Sequence, residues 1–150
     1  MTEFIRGFKD DYRFLSNFIY CDVEYDGVVY PTNEHAFQAA KFNDLDWRDV
    51  IKNAKSPGDA KALGRSRDFP MRDGWDAGVA VQVMSYINAQ KYRVPKYREL
   101  LLATGDAVLV ETNHWGDDTW GDSTTTSAPG KNQLGLILMT IRSALQAEAL

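Results

Sequence analysis

The sequence predicts an α+β fold, a mainly helical single domain over residues 1–150 with an N-terminal β-hairpin and a small antiparallel sheet. Three observations carry this. The strand-like runs FIYCDVEY and VVY flank Asp26-Gly27; apolar residues recur at helical spacing through most of the chain after residue 33; and AVLVE, residues 107–111, is a short apolar run of strand character. A chain of 150 residues with 44% apolar and 12% aromatic side chains can bury one self-sufficient core, and nothing in it reads as a linker or a repeat.

Each element has a local reason. Asp26-Gly27 favours a type I′ hairpin turn, because both central residues need positive φ. Pro31 and Thr32 end the second strand, and Thr32 or Asn33 can accept free N–H groups of the helix that follows. Trp47, Val50, Ile51 and Ala54 fall at helical spacing. Ser56, Pro57 and Asp59 form a start signal, and Gly64 stops that helix. Asp73 is placed to cap a helix in which Trp75, Val79, Val83 and Ile87 repeat every four residues. Leu100 to Ala103 close a short helix before Gly105. Leu134, Ile137, Leu138, Ile141 and Leu145 give the last helix an apolar stripe. Asp117 to Asn132, rich in Gly, Ser, Thr and Asp, reads as a long surface loop, and loops of that length in a compact domain are often functional.

Composition removes several function classes. The 17 basic and 21 acidic side chains give a net charge of -4, and no Lys/Arg-rich run supplies a footprint for duplex nucleic acid, which leaves contact with a single nucleotide open. The one cysteine, Cys21, forms no intrachain disulfide, the N-terminus has no signal-peptide core, and no apolar run approaches the ~20 residues of a membrane helix. A cytoplasmic protein without membrane contact is the expectation. His35 and His114 are the only histidines, and no Cys/His/carboxylate set has metal spacing, so neither a metal nor another cofactor is expected. Phosphate-loop and nucleophile-elbow motifs are absent, so NTPase and serine-hydrolase readings fall.

YPTNEHAFQAAK, residues 30–41, holds the most chemistry. At about 100° per residue, Glu34, Gln38 and Lys41 lie within about 40° of one another, while Ala36, Phe37 and Ala40 point elsewhere. Glu34 and Lys41 stand two turns apart, on the order of 10 Å along the axis. Periodicity alone favours a solvated face over a site, since such stripes are what surface helices normally show.

Taken in order, FLSNF (14–18), GVVYPTNEHAFQAAK (27–41), ALGR (62–65), Trp75 with Met84, LLATGDAVLVE (101–111), DTWG (118–121) and GKNQLGLILMTIR (130–142) resemble the NADAR, or YbiA-like, family. The resemblance runs through nearly the whole chain. It implies hydrolysis of N-glycosidic bonds, in riboflavin-pathway intermediates or in ADP-ribosylated guanine. The implied partner is therefore a small nucleotide-like substrate, or a modified guanine base in nucleic acid. Oligomeric state is not legible.

Such chemistry asks for particular groups. Cleaving ribose C1 from nitrogen passes through an oxocarbenium-like state, so a carboxylate near the ring stabilises charge or orients water, and Glu34 is the candidate. When the nitrogen is an exocyclic amine, the ribosylamine can open to an imine, and a neutral lysine can displace the base as a Schiff base at C1. Lys41 is the candidate nucleophile, provided burial or a neighbouring cation lowers its pKa.

The resemblance marks further substrate-binding candidates. Trp120 is a stacking face for a base or a loop anchor; Asp118 is an acceptor for ribose hydroxyls, a second carboxylate, or a turn residue. Asn132 is either a phosphate or loop-orienting residue, or a helix cap. Arg65 suits a substrate phosphate. Trp75 is either core or a stacking residue, and Asn17 and Phe18 stand on the hairpin side. Two departures are visible. Gly74 occupies the place where the family often has Asp, and the segment around residues 122–130 is longer than the family pattern. The alternative in another class is a non-catalytic module that binds a nucleotide or ADP-ribose; Glu34 and Lys41 splayed into solvent would favour it.

Overall fold

The computed structural model describes all 150 residues. In chain order it runs β1 (Phe4–Arg6), a 3-10 turn (Asp10–Leu15), β2 (Tyr20–Tyr25), β3 (Val28–Thr32), α1 (Asn33–Ala40), α2 (Leu45–Lys52), α3 (Pro57–Leu63), a second 3-10 turn (Trp75–Ala77), α4 (Val79–Lys91), α5 (Pro95–Ala103), β4 (Val108–Val110), β5 (Thr112–Asn113), β6 (Asp122–Ser123) and α6 (Gln133–Glu148). By contact these form two compact units, Asn17–Lys91 and Met1–Ser16 with Tyr92–Leu150. The α+β class with helix in the majority is what the sequence predicts.

In the unit Asn17–Lys91, β2 and β3 pair antiparallel, with a register irregularity between Tyr20 and Val23. Asp26 (φ 51°) and Gly27 (φ 78°) make the expected turn. The Thr32 side chain accepts from the backbone N–H of His35 and caps α1. Asp44 caps α2 through the N–H of Trp47, and Ser56 caps α3 through that of Asp59, with Pro57 in the first turn. α1 lies at the centre, packed against α2, α3, α4, β2 and β3. All eight of its residues are buried.

The helix expected from Asp73 onward is broken. Trp75–Ala77 is a 3-10 turn between Gly74 (φ 77°) and Gly78 (φ 128°), and α4 starts only at Val79. Backbone at those φ values lies outside the right-handed helical region, so the four-residue spacing of Trp75 and Val79 spans two elements.

In the unit Met1–Ser16 with Tyr92–Leu150, β1 pairs with β4 and β5 with β6, both parallel. Antiparallel pairing is thus confined to the hairpin among the named strands, and the AVLVE strand finds a parallel partner at the N-terminus. α6 packs on β4, with Leu109 and Leu138 fully buried. Arg142 donates to the carbonyl of Ala107 at 2.7 Å and to the hydroxyl of Thr104 at 2.9 Å. Its guanidinium thereby ties α6 to the turn before β4. The segment Asp117–Asn132 is mostly loop, as expected, but it contributes β6 and buries Gly121 and Ser123.

Candidate active site

The polar stripe of α1 faces protein, so its solvated reading is overturned. Glu34 is 7% exposed and Gln38 4%. Glu34 sits in the first turn, where a carboxylate meets the positive helix end, and its backbone N–H donates to the carbonyl of Asn17 at 3.1 Å. Its Oε1 accepts from Nε2 of Gln38 at 2.8 Å.

Asn17, predicted as a substrate contact, belongs to a buried amide cluster behind Glu34. Its Oδ1 accepts from Nδ2 of Asn33 at 3.2 Å and from Nδ2 of Asn88 at 3.3 Å. Its Nδ2 faces the Met84 sulfur at 3.2 Å. Asn33 also donates to Oδ1 of Asn88 at 3.0 Å. Three asparagines thus hold the strand-to-helix junction from which Glu34 projects.

Lys41 follows the last turn of α1, with its ammonium 5.8 Å from the centre of the Phe37 ring. Burial is the main cause that lowers its pKa; the charges of Arg65 and Lys61 lower it further, while Glu34 and Asp76 oppose them. Burial and the cations Arg65 and Lys61 thus act in the direction that a nucleophilic lysine needs. Arg65 itself is exposed, just beyond Gly64. Trp75 is 5% exposed, with its ring 5.1 Å from that of Phe37 and tilted by 49°; it packs in the core. His35 is wholly buried. Its Nδ1 stands 2.7 Å from the Thr32 hydroxyl, and its Nε2 pairs at 3.1 Å with the carbonyl of Ala54, which only accepts.

The remaining predicted residues lie in the other unit. The Trp120 N–H donates to Oδ1 of Asp117 at 2.9 Å, and its carbonyl accepts from the N–H of Leu134 at 3.0 Å, which fixes the backbone that carries the half-buried indole. Asp118 Oδ1 accepts from the N–H of Ser123 at 2.9 Å. Bonds from Thr126 and Ser123 hold the Asp118 carboxyl below the usual range. Asn132 adopts a left-handed conformation and makes no side-chain cap bond. Its amide instead bridges β4 and the residue after it: Oδ1 accepts from the N–H of Glu111 at 3.0 Å and Nδ2 donates to the carbonyl of Leu109 at 2.9 Å. Gly121 is needed for space, since a Cβ there would overlap the Glu111 carboxylate and stand 2.7 Å from Nδ2 of Asn113.

Sequence reasoning placed Gln38 on the stripe without a role and read Asn33 only as a possible cap, and it did not single out Asn88 or Glu111 beside Gly121. An open depression of about 460 Å³ is lined by Asn43, Asp44, Phe69, Pro70, Met71 and Asp73, none of them predicted. No group of three His, Cys, Asp or Glu side chains is placed to hold a metal ion, and no helix is long and apolar enough to cross a membrane.

Comparison with known proteins finds a family model and relatives that span nearly the whole chain. The family model described as the NADAR domain matches residues 3–146. The N-glycosidase YbiA of Escherichia coli is 41% identical over 141 residues, covering 93% of this chain and 86% of that protein. The riboflavin biosynthesis protein VVA0006 of Vibrio vulnificus is 35% identical over 142 residues, 93% of this chain but 37% of the longer relative. The NMR structure of E. coli YbiA superposes with a TM-score of 0.85 at 39% identity, covering 99% of this chain and 89% of that one.

Proposed function

This chain belongs to the NADAR family, and from that premise we propose that it is an N-glycosidase hydrolysing the bond between ribose C1 and an exocyclic amine. Its substrate is a phosphorylated ribosylaminopyrimidine of the riboflavin pathway. The observation that carries this reading is the buried stripe of α1. Glu34 and Lys41 share it, the carboxylate is held by Gln38, and the ammonium is driven toward its neutral form by burial and by Arg65 and Lys61. Splayed, solvated side chains would favour a binding module; Glu34 is buried and Lys41 half-buried.

The chemistry follows from these groups. The ribosylamine opens to an imine between C1 and the amine nitrogen. Neutral Lys41 adds its Nζ to C1, a proton passes to the departing nitrogen, and the aminopyrimidine leaves as the Lys41 Schiff base forms. Water then adds to C1, and collapse returns the amine of Lys41 and releases ribose phosphate. Glu34 stabilises positive charge at C1 and orients the water. Arg65, exposed next to Gly64, is suited to the phosphate. The pyrimidine substrate is favoured over a nucleic-acid base by the name of the Vibrio relative and by the net charge of -4, which attracts no polyanion.

The test is a turnover screen. The substrates are a phosphoribosylaminopyrimidine, ADP-ribosylated guanine in single-stranded DNA, and a free ADP-ribose conjugate, with Glu34→Ala as control. Release of the free aminopyrimidine, lost in Glu34→Ala, is the expected result. Borohydride should trap a ribose phosphate adduct on Lys41, and full activity in Lys41→Arg would end the Schiff-base route. Binding of a nucleotide without hydrolysis of any substrate would replace the enzyme reading with a binding module.

A further inference from the structure

Gln38 lies between Glu34 and Lys41 on the stripe, and its two polar atoms are in different circumstances. Nε2 donates to Glu34 Oε1 at 2.8 Å. Oε1 is buried with no hydrogen-bond partner. A buried amide oxygen left unpaired is unfavourable, and turning the amide over would set that oxygen against the carboxylate. The carboxylate therefore dictates which way the amide faces.

Opposite Gln38 lies Gly64, the residue that ends α3. Its φ of -67° is ordinary for any residue, so backbone conformation does not call for glycine. Space does. A Cβ on Gly64 would overlap Gln38 Oε1 and come within 2.7 Å of Cδ and 3.1 Å of Cβ of that side chain. Gln38 is 4% exposed and hemmed in by its own helix, so it has little room to retreat.

We infer that Gln38 is a positioning residue that holds the Glu34 carboxylate in its reactive placement, and that Gly64 is glycine to leave room for it. This rests on the reading that Glu34 takes part in the reaction. A side chain with three rotatable bonds keeps one carboxylate oxygen fixed only if something grips it. A buried, charge-assisted donor from the next turn does so without adding a second charge beside the reacting carbon. Lysine at position 38 would grip harder but would pair with Glu34 and crowd Lys41 with a further cation.

The test uses the full chain and a phosphoribosylaminopyrimidine. Gln38→Met keeps the volume and removes the donor. It is expected to lower kcat about ten-fold or more with KM within about two-fold, because the lost bond is to a charged group that acts on the reaction. Gly64→Ala, whose added Cβ would meet Gln38 first, is expected to lower kcat to a similar degree. The double variant Gln38→Ala with Gly64→Ala should be no slower than Gln38→Ala alone, since the added methyl enters vacated space. Native circular dichroism and a melting curve for each variant separate these effects from failure to fold.

A Gln38→Met enzyme with unchanged kcat would overturn the inference, as would a rise in KM alone or fully additive losses in the double variant. Glu34→Gln distinguishes the two levels. Full activity in that variant removes the catalytic reading itself, whereas an inactive Glu34→Gln beside an active Gln38→Met removes only the positioning role.

Discussion

The backbone N–H of Glu34 donates to the carbonyl of Asn17 at 3.1 Å, so the first turn of α1 hangs on the FLSNF segment rather than on its own helix. One consequence concerns Asn88, whose amide holds Asn17 and Asn33 and also reaches the Met84 carbonyl at 3.0 Å. Asn88→Leu leaves the other two amides underbonded in a buried site. It should cost about 2 kcal/mol, lowering Tm by roughly 4–8 °C in a thermal melt. The same change should reduce kcat, because the junction that aims Glu34 is loosened.

Activity should rise with pH, since the neutral form of Lys41 is the nucleophile. Burial first, then Arg65 and Lys61, lower its pKa from the ordinary value of 10.5, so the limb falls on the acid side of an exposed lysine. Removing a cation reverses part of that. Arg65→Gln should move the limb to higher pH, whereas Asp76→Asn, which removes an opposing carboxylate, should move it lower. A pH profile of kcat for the three enzymes checks the signs; movement of both variants in one direction would refute the assignment.

Lys91 gives a separate dependence in stability. It is 2% exposed, and burial pushes its pKa down to about 7, with the Cys21 thiol opposing. Above pH 7 the folded protein carries a neutral amine there while the unfolded chain still binds the proton, so stability rises with pH until the unfolded pKa near 10.4. The slope is at most about 1.4 kcal/mol per pH unit. Tm measured at pH 7 and pH 9 should therefore climb, and Lys91→Met should flatten that climb.

Gly121→Ala should be among the more damaging exchanges in the other unit. Its methyl would displace the Glu111 carboxylate and press on the Asn113 amide. The expected loss is about 1–3 kcal/mol by melting, with a change in tryptophan emission because Trp120 is the adjacent residue. An unchanged melt and spectrum would mean that the loop yields at no cost.

What the sequence made legible was local. Asp26-Gly27, Thr32, and Ser56 with Pro57 act through their own backbone and their nearest neighbours, and the structure has the turn and both caps there. The parallel pairing of Phe4–Arg6 with Val108–Val110 was not legible, because three-residue strands carry no alternation and their partners are far apart in the chain. Trp75 was misread as the head of a continuous helix because a four-residue spacing survives the break at Gly78. Glu34 and Lys41 were picked out by family resemblance, whereas burial of their stripe depends on what packs over it. The role of Gln38 was not legible: Gly64 reads in the sequence as a helix stop, and only its ordinary φ of -67° and its closeness to Gln38 show that what it supplies is space.

The crown of the long loop, Thr124–Pro129, is exposed throughout, while the chain on either side is tied down. Gly130 N–H donates to Oδ1 of Asp122 at 2.9 Å, and the N–H of Lys131 donates to the Asp118 carbonyl at 2.7 Å. Two fastened ends with a free span between them make an insertion port: residues can be added or removed there for little more than the slowly growing entropy of loop closure. Length variation, affinity tags or reporter peptides belong at Ser127 or Ala128, past the Thr125 and Thr126 hydroxyls that bond Ser123 and Asp118, where the scaffold that bears Trp120 would not register the change.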